Sequence, residues 1–175
     1  MRRAFIFLGF NNWGKTTLIC DLFARQRFEY GRGYRLNNQL DRLFTVESHS
    51  NDDTGQQRYI DMIERRVTSA PSNVHDLISV LCPSRDPNND ACSILSSHAF
   101  QPFNEIHLVL MRYKWDLHAQ LCVEDIKAYF HQCGDKRLVM HVIDEGTSGD
   151  DGSRRIERTI QAHKVILKVV LADKH

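Results

Sequence analysis

Within FIFLGFNNWGKTTLICDLF, residues 5–23, Gly9, Gly14, Lys15 and Thr16 stand in the spacing Gly-x-x-x-x-Gly-Lys-Thr. They make a polar, cationic corner between two apolar stretches. Residue types in this order suit one piece of chemistry, the holding of a phosphate chain. Gly9 lets the backbone leave a strand without a side-chain clash, and Gly14 lets the main chain approach an anion. Asn11 and Asn12 tolerate left-handed conformations better than most residues. The N–H groups of the loop and of a following helix N-terminus then face the anion. Lys15 reaches the β- and γ-phosphates, and the Thr16 hydroxyl holds a magnesium ion.

Such a loop needs a strand before it and a helix after it. Residues 4–8 read as a buried strand, and residues 15–26 as a helix with Leu18, Leu22 and Phe23 on one face. Further strands are predicted at 43–49, 74–81, 106–111 and 137–143. Helices are predicted at 56–69, with Tyr59, Ile60, Ile63 and Val67 at helical spacing, and at 88–99 and 121–132, the last capped by Gly134. Residues 147–153 read as an acidic loop. Ile156, Ile160, Leu167 and Leu171 trace one face of a last helix, whose β-branched tail also suits a strand. Alternating strands and helices predict an α/β domain, residues 1–175, with about five mostly parallel strands and helices on both faces. Ligands of such sheets bind beyond the carboxyl ends of the strands.

Residues 9–17 resemble the Walker A motif of P-loop NTPases, and the order of strands and helices is similar to their three-layer core. The resemblance implies that ATP or another nucleoside triphosphate is held by Gly9, Asn11, Asn12, Trp13, Gly14, Lys15, Thr16 and Thr17, with Mg²⁺ on Thr16. The chain looks more like the small kinase branch than a GTPase. No Asp-x-x-Gly follows the third predicted strand. The string nearest to a guanine-specifying Asn-Lys-x-Asp is Tyr113-Lys114-Trp115-Asp116, which lacks the asparagine.

The family's magnesium-holding acid is not where the resemblance would put it. The third predicted strand ends in Cys82 and Pro83, with Asp86 farther on. The second offers Glu47, then Asp52 and Asp53. Asp53 is the candidate base or orienter for an acceptor hydroxyl, and Asp52 joins Thr16 as a candidate magnesium ligand. The competing reading of Asn51-Asp52-Asp53 is a solvated turn. Phosphoryl transfer also needs cations on the transferred group. Arg112, at the end of the fourth predicted strand, ranks first, followed by Arg85, Arg154 and Arg155.

Residues 25–42 interleave Arg25, Arg27, Arg32, Arg35 and Arg42 with Phe28, Tyr30 and Tyr34. Such a segment suits a lid over a small anionic or nucleotide acceptor, or a grip on nucleic acid. It equally suits a surface loop whose aromatics pack while its arginines stay wet.

The rest of the chain removes classes of function. A net charge of +1 gives no global field toward nucleic acid or membrane. No apolar run reaches the roughly 18 residues of a membrane span, and the N-terminal run is too short for a signal peptide. The five cysteines are odd in number and contain no Cys-x-x-Cys, which predicts free thiols in a reducing cytoplasm. The pairs His118/Cys122 and His131/Cys133 complete no zinc spacing, and His107 and His141 lie within strands. Two functions fit this pattern. One is ATP-dependent phosphoryl transfer by Lys15, Asp53 and Arg112 to a small or nucleotide-like acceptor. The other is a nucleotide-binding or slowly hydrolysing module of a larger assembly.

Overall fold

Every residue of strand β1 (Arg3–Leu8) is buried. This is what a continuous apolar run requires when helices cover both faces of a parallel sheet. The computed structural model describes residues 1–36, 41–114, 120–144 and 149–172. After β1 come α1 (Lys15–Phe23), β2 (Tyr34–Arg35), β3 (Leu43–Glu47), the single turn α2 (Asn51–Thr54), α3 (Gln56–Ser69) and β4 (Asp76–Leu81). A small hairpin follows, β5 (Arg85–Asp86) and β6 (Asn89–Asp90), then α4 (Ala91–Leu95) and a 3-10 turn at His98–Phe100. The chain closes with β7 (Glu105–Met111), α5 (Val123–Gln132), β8 (Leu138–Ile143) and α6 (Asp151–Leu171).

The main sheet has the order β2-β3-β4-β1-β7-β8. Five of its strands are parallel, as expected. The sixth, β2, is antiparallel to β3 through only Tyr34↔Phe44 and Arg35↔Leu43, too short a pairing to leave a periodic signal in sequence. Leaving β1 the chain runs toward β3, and leaving β7 it runs the other way, to β8. The carboxyl edge between β1 and β7 is therefore the point where the connections diverge, and a crevice opens there. Right-handed crossovers put α1 on one face, with α6 packed against it, and α3, α4 and α5 on the other.

Several elements differ from expectation. Helix α1 stops at Phe23 because Ala24 turns left-handed, at φ 49°. The predicted helix at 88–99 is interrupted. Pro87 and Asn88 turn the hairpin, and Asp90 then caps a shorter α4 by accepting a hydrogen bond from the Ser93 N–H at 2.7 Å. The polar stretch after β3 winds into α2. Helix α6 starts at Asp151, inside the expected loop, and stays helical through Leu171; its buried face carries Arg158, Ala162, Ile166 and Val170. Of the expected stripe, Ile156, Ile160 and Leu171 are exposed. Small Ala162 admits the neighbouring helix, and Arg158 finds carbonyl partners, so that face wins. The cysteines also differ: Cys92 and Cys133 form a disulfide joining α4 to the end of α5, which leaves Cys20, Cys82 and Cys122 free.

Candidate phosphate-binding site

The loop between β1 and α1 has the backbone its residues suggest. Gly14, the N-cap of α1, sits at φ 79°, and Asn12 is left-handed at φ 60°. A Cβ on Gly9 would meet Met111 Cε at 2.9 Å and Trp13 Cβ at 3.0 Å, so a side chain there would have to push the Met111 terminus and Trp13 aside. The Gly9 N–H donates to Leu81 O at 3.3 Å, which ties the loop to β4. Among the described residues no side chain caps α1, and no acidic residue lies in its first turn. The unspent N–H groups of that turn and the positive end of the helix dipole therefore face the crevice.

Lys15 is buried, 6% exposed, yet it is not a core residue. Its ammonium donates to Phe10 O at 2.9 Å and to Asp52 Oδ2 at 3.2 Å. Asp52 is brought there by Asn51, which the sequence reading passed over. Asn51 is fully buried. Its Oδ1 accepts from the Cys82 N–H at 2.7 Å, and its Nδ2 donates to Cys82 O at 3.3 Å and Asn89 Oδ1 at 2.9 Å. Asn89 Nδ2 returns a bond to Asn51 O at 3.0 Å. This amide clamp locks the turn after β3 onto the end of β4 and fixes where Asp52 stands. Burial and the neighbouring Asp52 push the Cys82 thiol up to about 11.

Thr16 Oγ1 donates to Ser48 O at 2.8 Å, so it too meets the turn after β3. Asp53 is exposed and lines the same cavity as Thr16. Asp52 Oδ1 is shielded from solvent and has no hydrogen-bond partner among the described residues. A hydroxyl, an unspent carboxylate oxygen and an adjacent carboxylate are the hard oxygen donors that Mg²⁺ takes. Among the described residues no group of three or more His, Cys, Asp or Glu could hold a metal alone. Magnesium characteristically completes its shell with phosphate and water.

The loop opens into a cavity of about 820 Å³, whose walls include Asn11, Asn12, Trp13, Gly14 and Thr17. Among the described residues its cations are Lys15, Lys114, Arg154, Arg155 and Arg158, against the carboxylates Asp21, Asp53 and Asp151. The surplus of positive charge suits a polyanion. Arg158 anchors the site, donating from Nη1 to Trp13 O at 2.9 Å and from Nη2 to Tyr113 O at 3.1 Å. Arg155 makes two 2.6 Å bonds to Asp21. Arg154 donates to Gly149 O at 2.6 Å and pairs with Asp151.

Other candidates lie elsewhere. Arg112 pairs with Asp144 at 3.2 Å and is not in the cavity wall. Arg85 lies on the β5–β6 hairpin, over the Tyr129 ring. Buried Glu47 accepts from Arg66 Nε at 2.9 Å and so serves the frame. Residues 25–36 and 41–42 run beside the amino half of β3 and the end of α3, opposite the crevice. There Phe28, Tyr34 and Phe23 pack edge to face. Tyr30 lies against the guanidinium groups of Arg65 and Arg66, Arg32 pairs with Glu29 at 2.7 Å, Arg35 pairs with Asp41 at 3.0 Å, and Arg42 pairs with Asp76. His107 and His141 are hydrogen-bonded to each other at 3.1 Å. Residues 37–40 of the aromatic–arginine segment lie outside the described residues. So do Trp115, Asp116, His118 and residues 145–148 of the acidic loop.

No helix among the described residues is long and apolar enough to cross a membrane. Against protein-family models, curated proteins and solved structures the chain gives no match.

Proposed function

We propose that the chain binds a nucleoside triphosphate with magnesium and transfers its terminal phosphoryl group to a small acceptor. One observation carries the reading. Lys15, a buried ammonium held between a carbonyl and Asp52, stands at the floor of a cation-rich cavity on the carboxyl edge of a parallel sheet.

In this reading the N–H groups of residues 14–17 and Lys15 bind the phosphate chain. Lys15 exchanges its Asp52 contact for phosphate oxygen, a charge-assisted bond in either state. Thr16 and Asp52 would hold Mg²⁺, which supplies charge neutralisation on the phosphates. Arg154 and Arg155 replace Arg112 as the cations nearest the transferred group, because they line the cavity and Arg112 does not. With Lys15 released, Asp52 is free to take the proton of an acceptor.

Purified protein, radiolabelled ATP and Mg²⁺ test the proposal. The expected result is ATP binding by titration calorimetry that Lys15→Ala weakens at least about tenfold, roughly 1.4 kcal/mol. Label transferred to an organic acceptor supports the phosphotransferase. Label released only as inorganic phosphate would favour the hydrolysing module. Equal ATP affinity in wild type and Lys15→Ala would refute both. GTP binding tenfold tighter than ATP would overturn the expected lack of guanine preference.

A further inference from the structure

A second cavity, of about 520 Å³, opens beside the backbone that holds the Lys15–Asp52 pair. It touches the pair through two residues. Phe10 forms part of its wall, and the Phe10 carbonyl is the one that holds Lys15. Cys82 forms another part, and its backbone is clamped at both N–H and C=O by Asn51, the residue before Asp52. Lys15 itself lines the larger cavity, and the residues that hold the pair, Phe10 and the Asn51-clamped Cys82, line the second. Two-substrate group transfer needs that layout, in which each reactant has its own pocket and the reacting atoms meet at the partition.

The walls differ in the charge they can accept. The larger cavity has five cations against three carboxylates. Among the described residues the second has one cation, Arg85, and one carboxylate, Asp125. Arg85 is already engaged, donating from Nη2 to Asp125 O at 2.9 Å with its guanidinium over the Tyr129 ring. The remaining surface is largely apolar, built by Phe10, Pro83, Leu121 and Ile126. Phe10 is 41% exposed, so its ring is available to a ligand in this wall. An anionic acceptor would sit beside Asp125, and among the described residues of this wall only Arg85 could meet its charge.

We propose that this second cavity is the acceptor site and that it takes an uncharged, ring-bearing alcohol of nucleoside size, its ring stacked on Phe10 and its hydroxyl aimed at Asp52. The inference rests on the phosphotransferase reading for the transfer step but not for the binding. In that step the hydroxyl oxygen forms a bond to the γ-phosphorus. The bond from that phosphorus to the β,γ-bridging oxygen breaks, and the diphosphate leaves with its electron pair. The hydroxyl proton passes to Asp52 Oδ2, the oxygen that Lys15 releases when it turns to phosphate.

Cys122, exposed and in the wall of this cavity, reports occupancy without ATP. The experiment measures its alkylation by N-ethylmaleimide in the full chain with millimolar adenosine, guanosine, cytidine, uridine or thymidine. At least one nucleoside should slow alkylation about fivefold or more. Phe10→Ala, whose side chain is half out of the fold, should abolish that protection while its thermal melting stays within a degree or two of wild type. With labelled ATP and Mg²⁺, the same nucleoside should become its monophosphate, and Phe10→Ala should raise its KM at least about tenfold. No protection by any of the five overturns the inference. So does stronger protection by nucleoside monophosphates than by nucleosides, or label passing only to water while a nucleoside is bound. Protection without any ATP binding would sink the phosphotransferase reading and leave the nucleoside site standing.

Discussion

Asp52→Asn should make the protein bind metal-free ATP more tightly. The carboxylate sits 3.2 Å from the Lys15 ammonium, with the two side chains 14% and 6% exposed. An incoming phosphate must displace Asp52 from Lys15 and also meets its negative charge. At an effective dielectric of about 40, between near-surface and bulk values, a pair at this distance is worth roughly 2–3 kcal/mol. Water that solvates the freed carboxylate returns about half of that. The net gain on neutralising Asp52 is then roughly 1–1.5 kcal/mol, or about five- to fifteenfold in Kd. With Mg²⁺ present the gain should vanish or reverse, because Asp52 is then a ligand of the ion or of its waters. Lys15→Ala should weaken ATP by about 10- to 150-fold with or without metal, the worth of one hydrogen bond to a charged group. Titration calorimetry of wild type and both variants, in EDTA and in millimolar Mg²⁺, measures all of this. Asp52→Asn protein that binds metal-free ATP no better than wild type would refute the competition between carboxylate and phosphate.

Buried His107 and half-buried His141 should make the fold acid-sensitive. Burial first, then the neighbouring His107, pushes His141 down to about 4, and burial lowers His107 as well. A depressed histidine contributes stability that is full above about pH 6.5 and is lost as pH falls toward 4; unfolding free energies from urea titrations at pH 7.5 and 4.5 should differ by about 1–2 kcal/mol from His141, and His141→Gln should remove much of that difference. Reduction of Cys92–Cys133, which closes a separation of 41 residues, should cost about 3–4 kcal/mol and lower Tm by roughly 8–12 °C, and an unchanged melting curve in a dithiol reductant would contradict this. Arg32→Ala with Arg35→Ala should leave ATP affinity unchanged and shift stability by about 0.5 kcal/mol or less, because both guanidinium groups pair with exposed acids far from the phosphate loop; a large loss of acceptor turnover would return that segment to the site.

What could be read in sequence was local. A run such as Ala4, Phe5, Ile6, Phe7 and Leu8 is buried whatever surrounds it, and Tyr59, Ile60 and Ile63 fall on one side of any helix they form. The loop belongs to the same class. Gly9, Asn12, Gly14, Lys15 and Thr16 specify their turn within eight residues, and the left-handed angles at Asn12 and Gly14 follow from the residues that tolerate them. The acid that answers Lys15 was legible only as a pair, Asp52 or Asp53, because either could stand at the end of β3.

Tertiary structure made the remaining choices, because each depends on partners distant in sequence. Lys15 meets Asp52 across 37 residues only because β4 lies between β1 and β3 and Asn51 grips Cys82. Arg158 meets Trp13 across 145 residues, and that bond decides which face of α6 turns inward. Both faces of α6 have helical spacing, so periodicity could not choose between a stripe of Ile156 and Ile160 and one of Arg158 and Ala162. Arg112 was attractive by its place at a strand end, but the cavity takes its arginines from the start of α6, which packs back against α1. Pairing of Cys92 with Cys133 likewise required α4 and α5 to share a face of the sheet. The sequence alone determined the conformation of the loop between β1 and α1, since that is set by steric limits on single residues. The folded chain alone decided which charges surround that loop, since electrostatic partners are chosen by distance in space.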